Sequence, residues 1–153
     1  MKYPARSTPV PSLALAGFLL LLLGACGEKG NPNIDSNPVV AEKAAAVFRA
    51  MQAGDYDAVL AQYDEGFFKT QTREGWRDKL KATMDERGPM TAWHLRRSQA
   101  DTRFSGKFFL YEYETVHDGD KRLHHLMTFV WPVNDDEIRL LGHKITPWQV
   151  GEE

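Results

Sequence analysis

The spacing of apolar residues divides the chain into a helical first part and a strand-rich second part. Between residues 38 and 87, apolar positions recur every three or four residues, which is the period of an amphipathic helix. After Gly88-Pro89 they alternate with polar positions, which is the period of a half-buried strand. Helices followed by antiparallel strands predict an α+β fold, in which N-terminal helices pack on a curved, cone-like, four-stranded antiparallel sheet.

Residues with strong capping preferences predict three helices. The first begins after Asn37-Pro38 and ends at Gly54, and the second, a short one, follows Asp55. The third follows Thr72 and ends at Gly88-Pro89. The first helix places five apolar residues on one face, namely Val40, Ala44, Val47, Phe48 and Met51.

Four strands are predicted, the first around Trp93 and Leu95, and the others over residues 107–117, 121–133 and 137–146. Pairing His117 with Lys121 across the turn at residues 118–120 sets a hypothetical register for the two middle strands. One face of this pair is then more aromatic and less charged than the other, and we assign it to the interior. The candidate pocket lining on this face is Tyr111, Tyr113, His125 and Trp131.

The first 25 residues have the pattern of an export signal. Lys2 and Arg6 are positive, and residues 13–25 are wholly apolar. As a helix this apolar segment would be about 20 Å long, which is too short for a bilayer core of about 30 Å. A membrane-spanning helix is therefore the weaker alternative.

The end of this segment, Leu23-Gly24-Ala25-Cys26, resembles the lipobox of bacterial lipoproteins. The resemblance implies acylation (palmitate) of Cys26, which is the single Cys of the chain, and cleavage before it. Gly27 in place of Asp implies sorting to the outer membrane, facing the periplasm. The alternative is a soluble secreted protein that is cut after Ala25.

Three segments follow from this interpretation: a signal peptide over 1–25, a lipidated Cys and flexible tether over 26–37, and a cone-like domain over 38–148. The tether is rich in Gly, Asn, Pro and Ser. The formal net charge of −2 becomes −4 once Lys2 and Arg6 are removed with the signal. We therefore expect membrane contact through the lipid alone, and no binding of nucleic acid.

The predicted domain resembles the nuclear-transport-factor-2-like superfamily, also described as a cystatin-like cone, and in particular its uncharacterised lipoproteins. The resemblance rests on Gly54-Asp55-Tyr56 at the end of a helix, Trp76 on a Thr-capped helix, and the last strand Ile138-Arg139-Leu140-Leu141-Gly142. It implies a conical cavity between sheet and helices, and it leaves a homodimer open. The superfamily contains both enzymes and binding modules, so the fold alone does not decide the function.

Candidate chemistry is sparse. Tyr113 opposite His125 could form an acid–base pair, but a buried histidine satisfied by a tyrosine is the more common arrangement, and no catalytic residue is assigned. His124 and His125 point to opposite faces, so they cannot share a metal ion, and Glu114 across from His124 predicts a surface ion pair. His94, His117 and His143 have no partner at an informative spacing. No metal and no cofactor are predicted.

These observations favour a lipid-anchored, non-catalytic binding or accessory domain of the cell envelope. Its partner would be a small apolar ligand, a peptide or another envelope protein. The alternatives are an isomerase or hydro-lyase that uses His125 and a tyrosine, and a purely structural partner in an envelope complex. A cavity of about 300 Å³ or more would favour binding or catalysis over the structural role.

Overall fold

The computed structural model describes residues 36–149, in which three helices precede a four-stranded sheet. The helices are α1 (Pro38–Ala53), α2 (Tyr56–Leu60) and α3 (Arg73–Arg87), and a 3₁₀ turn (Glu65–Lys69) lies between the last two. The strands are β1 (Met90–Arg103), β2 (Gly106–His117), β3 (Arg122–Pro132) and β4 (Arg139–Pro147). They form one antiparallel sheet in the order β1-β2-β3-β4. The predicted α+β class is confirmed.

The signal peptide, Cys26 and most of the predicted tether lie outside the described residues. Within residues 36–149, no helix is both long enough and apolar enough to cross a membrane.

The predicted helix caps are confirmed. The Asn37 side chain accepts hydrogen bonds from the first two backbone N–H groups that follow Pro38, at 3.0 and 3.3 Å. Gly54 ends α1 in the left-handed conformation, with φ of 69°. The side chains of Asp55 and Thr72 each accept a backbone N–H three residues further on. These bonds satisfy donors that a helix start otherwise leaves unpaired.

The predicted apolar face of α1 is buried against the sheet, since all five of its residues are at most 2% exposed. Phe48 lies at the centre of this layer. Its ring centroid is 5.6 Å from that of Trp93, 5.1 Å from that of Tyr113 and 5.3 Å from that of His125. Aromatic residues therefore fill the space between α1 and the sheet.

The predicted register of the middle strands is confirmed. The backbone N–H of His117 donates to the carbonyl of Lys121 at 2.8 Å, and Tyr113 pairs with His125. Tyr111 and Phe109 continue the buried face toward the other end of β2. The first strand extends well beyond the predicted Trp93 and Leu95, because its outer half pairs with β2 as far as the tip of the hairpin.

The sheet has two distinct ends. At the end that we call the entry end, the backbone N–H of Asn37 donates to the Tyr111 hydroxyl at 2.7 Å, so the chain enters the domain there. Lys43 of α1 also contacts Glu137 of the β3–β4 loop. At the opposite far end, the Gln52 side chain donates to the carbonyl of Met90 at 2.9 Å. The β1–β2 hairpin and the β3–β4 loop thus lie at the entry end with the start of α1.

Candidate functional site

A row of hydrogen-bonded polar side chains crosses the interior of the domain. We call it the histidine row, and it consists of Tyr63, His143, His125, Thr115 and His117, with the carbonyl of Gly88 as its last member. Of the five polar or charged side chains that are buried within residues 36–149, four belong to this row. Because its members are buried and most of them are ionisable, the row is a candidate for chemistry.

Five contacts connect the row from end to end. The Tyr63 hydroxyl lies 2.6 Å from Nδ1 of His143, and Nε2 of His143 lies 2.9 Å from Nδ1 of His125. Nε2 of His125 lies 3.1 Å from Oγ1 of Thr115. That oxygen lies 3.0 Å from Nε2 of His117, whose Nδ1 is 2.9 Å from the Gly88 carbonyl. Both nitrogens of each of these three imidazoles therefore have a partner.

Strand geometry explains how distant residues form the row. Thr115 and His117 are two positions apart on β2, so both point to the inner face. His125 lies on the same face of β3, and His143 comes from β4. Tyr63 comes from the loop after α2, which is held to β4 by backbone hydrogen bonds with Leu140 on either side of Tyr63.

The direction of every hydrogen bond in the row follows from its last member. A carbonyl can only accept, so Nδ1 of His117 carries the proton, and Nε2 of the neutral ring accepts the Thr115 hydroxyl proton. Thr115 then accepts from Nε2–H of His125. By the same argument, Nδ1 of His125 accepts a hydrogen bond from Nε2–H of His143, and Nδ1 of His143 accepts one from the Tyr63 hydroxyl. The row is thus a one-directional series with one proton in each bond.

Burial keeps the row uncharged. Loss of solvation lowers the pKa of His143 to about 3, and a nearby lysine, Lys79, contributes to that lowering. Loss of solvation also lowers the pKa of His125 far below its ordinary value, and the neighbouring His143 adds to the shift. The pKa of His117 is lowered by burial as well, and that of Tyr63 is raised by burial. At neutral pH all four groups are neutral.

The structure places the four predicted pocket residues in different environments. Tyr113 and His125 are fully buried in the core, and Trp131 is partly buried against it. Tyr111 has a buried ring, and its hydroxyl reaches the start of α1. The hydrogen bonds of His125 go to Thr115 and His143, which sequence reasoning did not associate with it.

The largest described cavity, which we call the entry groove, lies between the start of α1 and the outer halves of β1 and β2. Its volume is about 440 Å³. Its walls carry hydroxyl, amide and aromatic groups together with a single amine, and they contain no carboxylate and no imidazole. The lining residues are Ser36, Asn37, Pro38, Ser98, Gln99, Ala100, Lys107, Phe109 and Tyr111.

Two other described cavities lie elsewhere. One of about 330 Å³ lies near the outer part of the β1–β2 hairpin and includes Phe108 and Leu110. The other, of about 410 Å³, lies at the far end between the last turns of α1 and α3. Of the predicted pocket residues, Tyr111 lines the entry groove, and Tyr113, His125 and Trp131 line none of these three cavities.

The outer face of the sheet carries the fifth buried polar group. Glu114 is opposite His124, as the register predicts, but the expected surface ion pair between them is wrong. The Glu114 carboxylate is fully buried and accepts hydrogen bonds from Arg96 and Arg122 on the flanking strands, and His124 lies near Glu112 instead. Burial alone would raise the pKa of Glu114, but the two guanidinium groups outweigh it and hold the pKa below its ordinary value.

No group of three or more His, Cys, Asp or Glu side chains within residues 36–149 is arranged to hold a metal ion. The three histidines of the row hydrogen-bond in series instead of converging on one point.

Comparison with known proteins supports the fold alone. No family model matches the chain, and no curated protein sequence matches it. Among solved structures, the chain is similar to Bd1075 of Bdellovibrio bacteriovorus, with a TM-score of 0.51 and 11% sequence identity. The match covers 73% of this chain and 40% of that one, so this chain spans less than half the length of its structural relative.

Stability should fall as the pH drops below the ordinary titration range of histidine. The histidines of the unfolded chain bind protons near pH 6.5, whereas the buried histidines of the folded protein stay neutral. The free energy of unfolding therefore falls by about 1.4 kcal/mol per buried histidine for each pH unit below that value. Between pH 7.5 and 5.5, we expect urea unfolding to show a loss of about 3 kcal/mol, most of it from His125 and His143.

Two variants control this prediction. His143→Phe removes one of the titrating groups, so the loss between the two pH values should shrink by about 1.4 kcal/mol. Ala82→Gln, at an exposed position of α3 outside the row, removes no titratable group and should leave the loss unchanged. A free energy of unfolding that is the same at pH 7.5 and pH 5.5 would contradict a neutral buried row.

Proposed function

We propose that this protein is a lipid-anchored component of the bacterial cell envelope whose folded domain is a non-catalytic binding module. The entry groove carries this proposal. It combines a volume typical of ligand sites with both polar and apolar wall groups, and it contains no carboxylate and no imidazole, the groups that most often transfer protons in enzymes.

The anchor is the part of the proposal that rests on the sequence. Leu23-Gly24-Ala25-Cys26 has the small residues and the thiol that lipoprotein processing requires, and Gly27 favours the outer membrane, facing the periplasm. The first helix begins at Pro38, a short distance after Cys26. Several acyl chains on Cys26 would hold the protein far more firmly than one chain could.

We also propose that the domain belongs to the nuclear-transport-factor-2-like superfamily. The order of its elements supports this assignment, since three helices precede an antiparallel sheet and α1 packs on the inner face of that sheet. In this domain the aromatic residues around Phe48 and the histidine row occupy the interior. Binding is therefore assigned to the entry groove, at the edge of this core.

The chemistry of the groove defines the class of ligand. Gln99 offers a neutral side-chain donor and acceptor, while the exposed residues Pro38 and Ala100 offer apolar surface. Lys107 contributes one positive charge. The groove therefore suits a small molecule or a peptide segment that has an apolar part, several polar groups and at most one negative charge.

Two observations argue against catalysis by His125 with a tyrosine. The side chain of His125 is fully buried and lines none of the three cavities described above. Its two ring nitrogens are occupied by Thr115 and His143 within the row, so neither is directed at a substrate. A general base must reach the proton that it removes.

Replacing the proposed acylation site should abolish both lipidation and cleavage of the signal peptide. In Cys26→Ser, the thioether to the lipid cannot form, so we expect the precursor to remain uncleaved and to lack the acyl masses that intact mass spectrometry detects on the wild type. Ser36→Cys in the same background restores a thiol outside the motif and should not restore acylation. Acylation and normal maturation of Cys26→Ser would contradict the anchor.

Filling the entry groove should abolish ligand retention. Ala100 lies in the groove wall on an exposed part of β1, so Ala100→Trp should occupy the groove without disturbing the core. Native mass spectrometry of the full chain, purified in mild detergent from its host, should show a bound small molecule on the wild type and none on Ala100→Trp. Thr91→Trp, an exposed site near the far end of the same strand, is the matched control and should retain the molecule. Equal retention in all three proteins would overturn the groove as the binding site.

A further inference from the structure

We infer that the entry end of the domain contacts the lipid bilayer directly, with Phe104 at the tip of the β1–β2 hairpin inserted at the interface and Val133 beside it. This inference rests on the proposed lipid anchor and adds a second, non-covalent contact to it. It replaces the sequence-based expectation that the lipid alone touches the membrane.

The exposed large apolar residues are concentrated at this end. Within residues 36–149, the large hydrophobic side chains that are exposed are Phe104, which is completely exposed, Val133 at 66% and Val39 at 54%. Phe104 and Val133 are close neighbours, because the backbone N–H of Val133 donates to the carbonyl of Ser105. Val39 lies in the first turn of α1, where the chain enters. Exposed apolar residues scattered singly need no explanation, but a cluster at one end does.

The proposed anchor reaches the domain at the same end. Ser36 lies ten positions after Cys26 in the sequence, and it lines the entry groove together with Ala100 and Lys107. Ten residue steps span at most about 35 Å when fully extended. A tether of this length keeps the entry end close to the bilayer, and it gives even a weak contact a high effective concentration.

The charges around the hairpin fit an interface with lipid headgroups. Arg103 and Lys107 flank the tip, and their charged groups lie over the rings of Phe108 and Phe109, respectively. Arg103 also pairs with Asp101 at 2.8 Å, so residues 101–107 carry a formal net charge of +1. Basic side chains beside an exposed aromatic ring are typical of segments that lie at the level of the headgroups.

The β3–β4 loop determines how deep this contact can be. It carries Asp135, Asp136 and Glu137, which would be repelled by anionic lipid. Asp135 pairs with Arg139, and Glu137 pairs with Lys43, so much of this charge is compensated within the protein. The contact is therefore shallow, and the tip of the β1–β2 hairpin inserts while the acidic residues of the β3–β4 loop stay in water.

The small size of the patch favours lipid over a protein partner. A stable protein interface buries about 800 Å² on each side, which three side chains cannot supply. A bilayer contact needs no such area, because the acyl chains already supply the affinity.

A spin label at Ser105 tests the contact in the full-length protein. If Cys26 is acylated, Ser105→Cys provides the one free thiol, since the chain has a single natural Cys. The mature protein carrying a nitroxide there is reconstituted into vesicles of phosphatidylcholine with a minor fraction of phosphatidylglycerol. Collision rates with oxygen, which concentrates in lipid, and with a water-soluble nickel chelate then report the depth of the label. Glu86→Cys is the control site, because this exposed residue lies near the far end.

The label at residue 105 should favour oxygen over nickel severalfold more than the label at residue 86 does. Adding Phe104→Ser should reduce the inserted population about tenfold or more, because the buried apolar surface is lost. Because the label stays at residue 105, that drop also separates insertion driven by Phe104 from insertion driven by the label.

Two results would overturn the inference. An acylated protein whose labels at residues 105 and 86 are equally accessible, or whose label at 105 is unaffected by Phe104→Ser, would leave the anchor in place and remove the hairpin contact. A protein that carries no acyl mass on Cys26 would remove both the anchor and the contact built on it.

Discussion

The histidine row holds the layers of the domain in one arrangement. Its members come from the loop after α2, from three of the four strands and, through the carbonyl of Gly88, from the end of α3. Each member is both donor and acceptor, except at the two ends. Removing one group therefore leaves a buried neighbour unpaired, at a cost of about 1–3 kcal/mol, and shifting one strand would break several bonds at once. The row thus selects one packing of the helices on the sheet.

This constraint has consequences for function. Because the interior is occupied by the row and by the aromatic residues around Phe48, the described cavities lie at the periphery. The proposed binding site and the proposed membrane contact both lie at the entry end, close to where the chain arrives from Cys26. Both proposed contacts thus lie at one end of the domain, whereas the hydrogen-bonded row ends at Gly88, at the opposite end.

Local signals in the sequence predicted much of this fold. Capping residues such as Asn37 and Thr72 identified the helix starts, and the pairing of His117 with Lys121 placed Tyr113 opposite His125. The row itself was not predicted for a physical reason. His143 shares the inner face with Leu140 because a bulge in β4 at Leu141, opposite Thr128 and Phe129, shifts the pairing, and Tyr63 comes from a loop without a periodic pattern. Thr115 was within reach of sequence reasoning, since it lies two positions after Tyr113 on the same face. The burial of Glu114 depends on Arg96 of β1, a strand whose register no turn residue indicated.

The nitrogen chemical shifts of the imidazole rings show whether the histidine row is a neutral series of hydrogen bonds that runs in one direction. Long-range proton–nitrogen correlation spectra of the ¹⁵N-labelled protein at pH 7 distinguish the two neutral tautomers from the charged ring. We expect a proton on Nδ1 of His117 and on Nε2 of both His125 and His143, with no charged ring among the three. A doubly protonated ring at any of these positions, or a proton on Nδ1 of His143, would show that the row is not such a series.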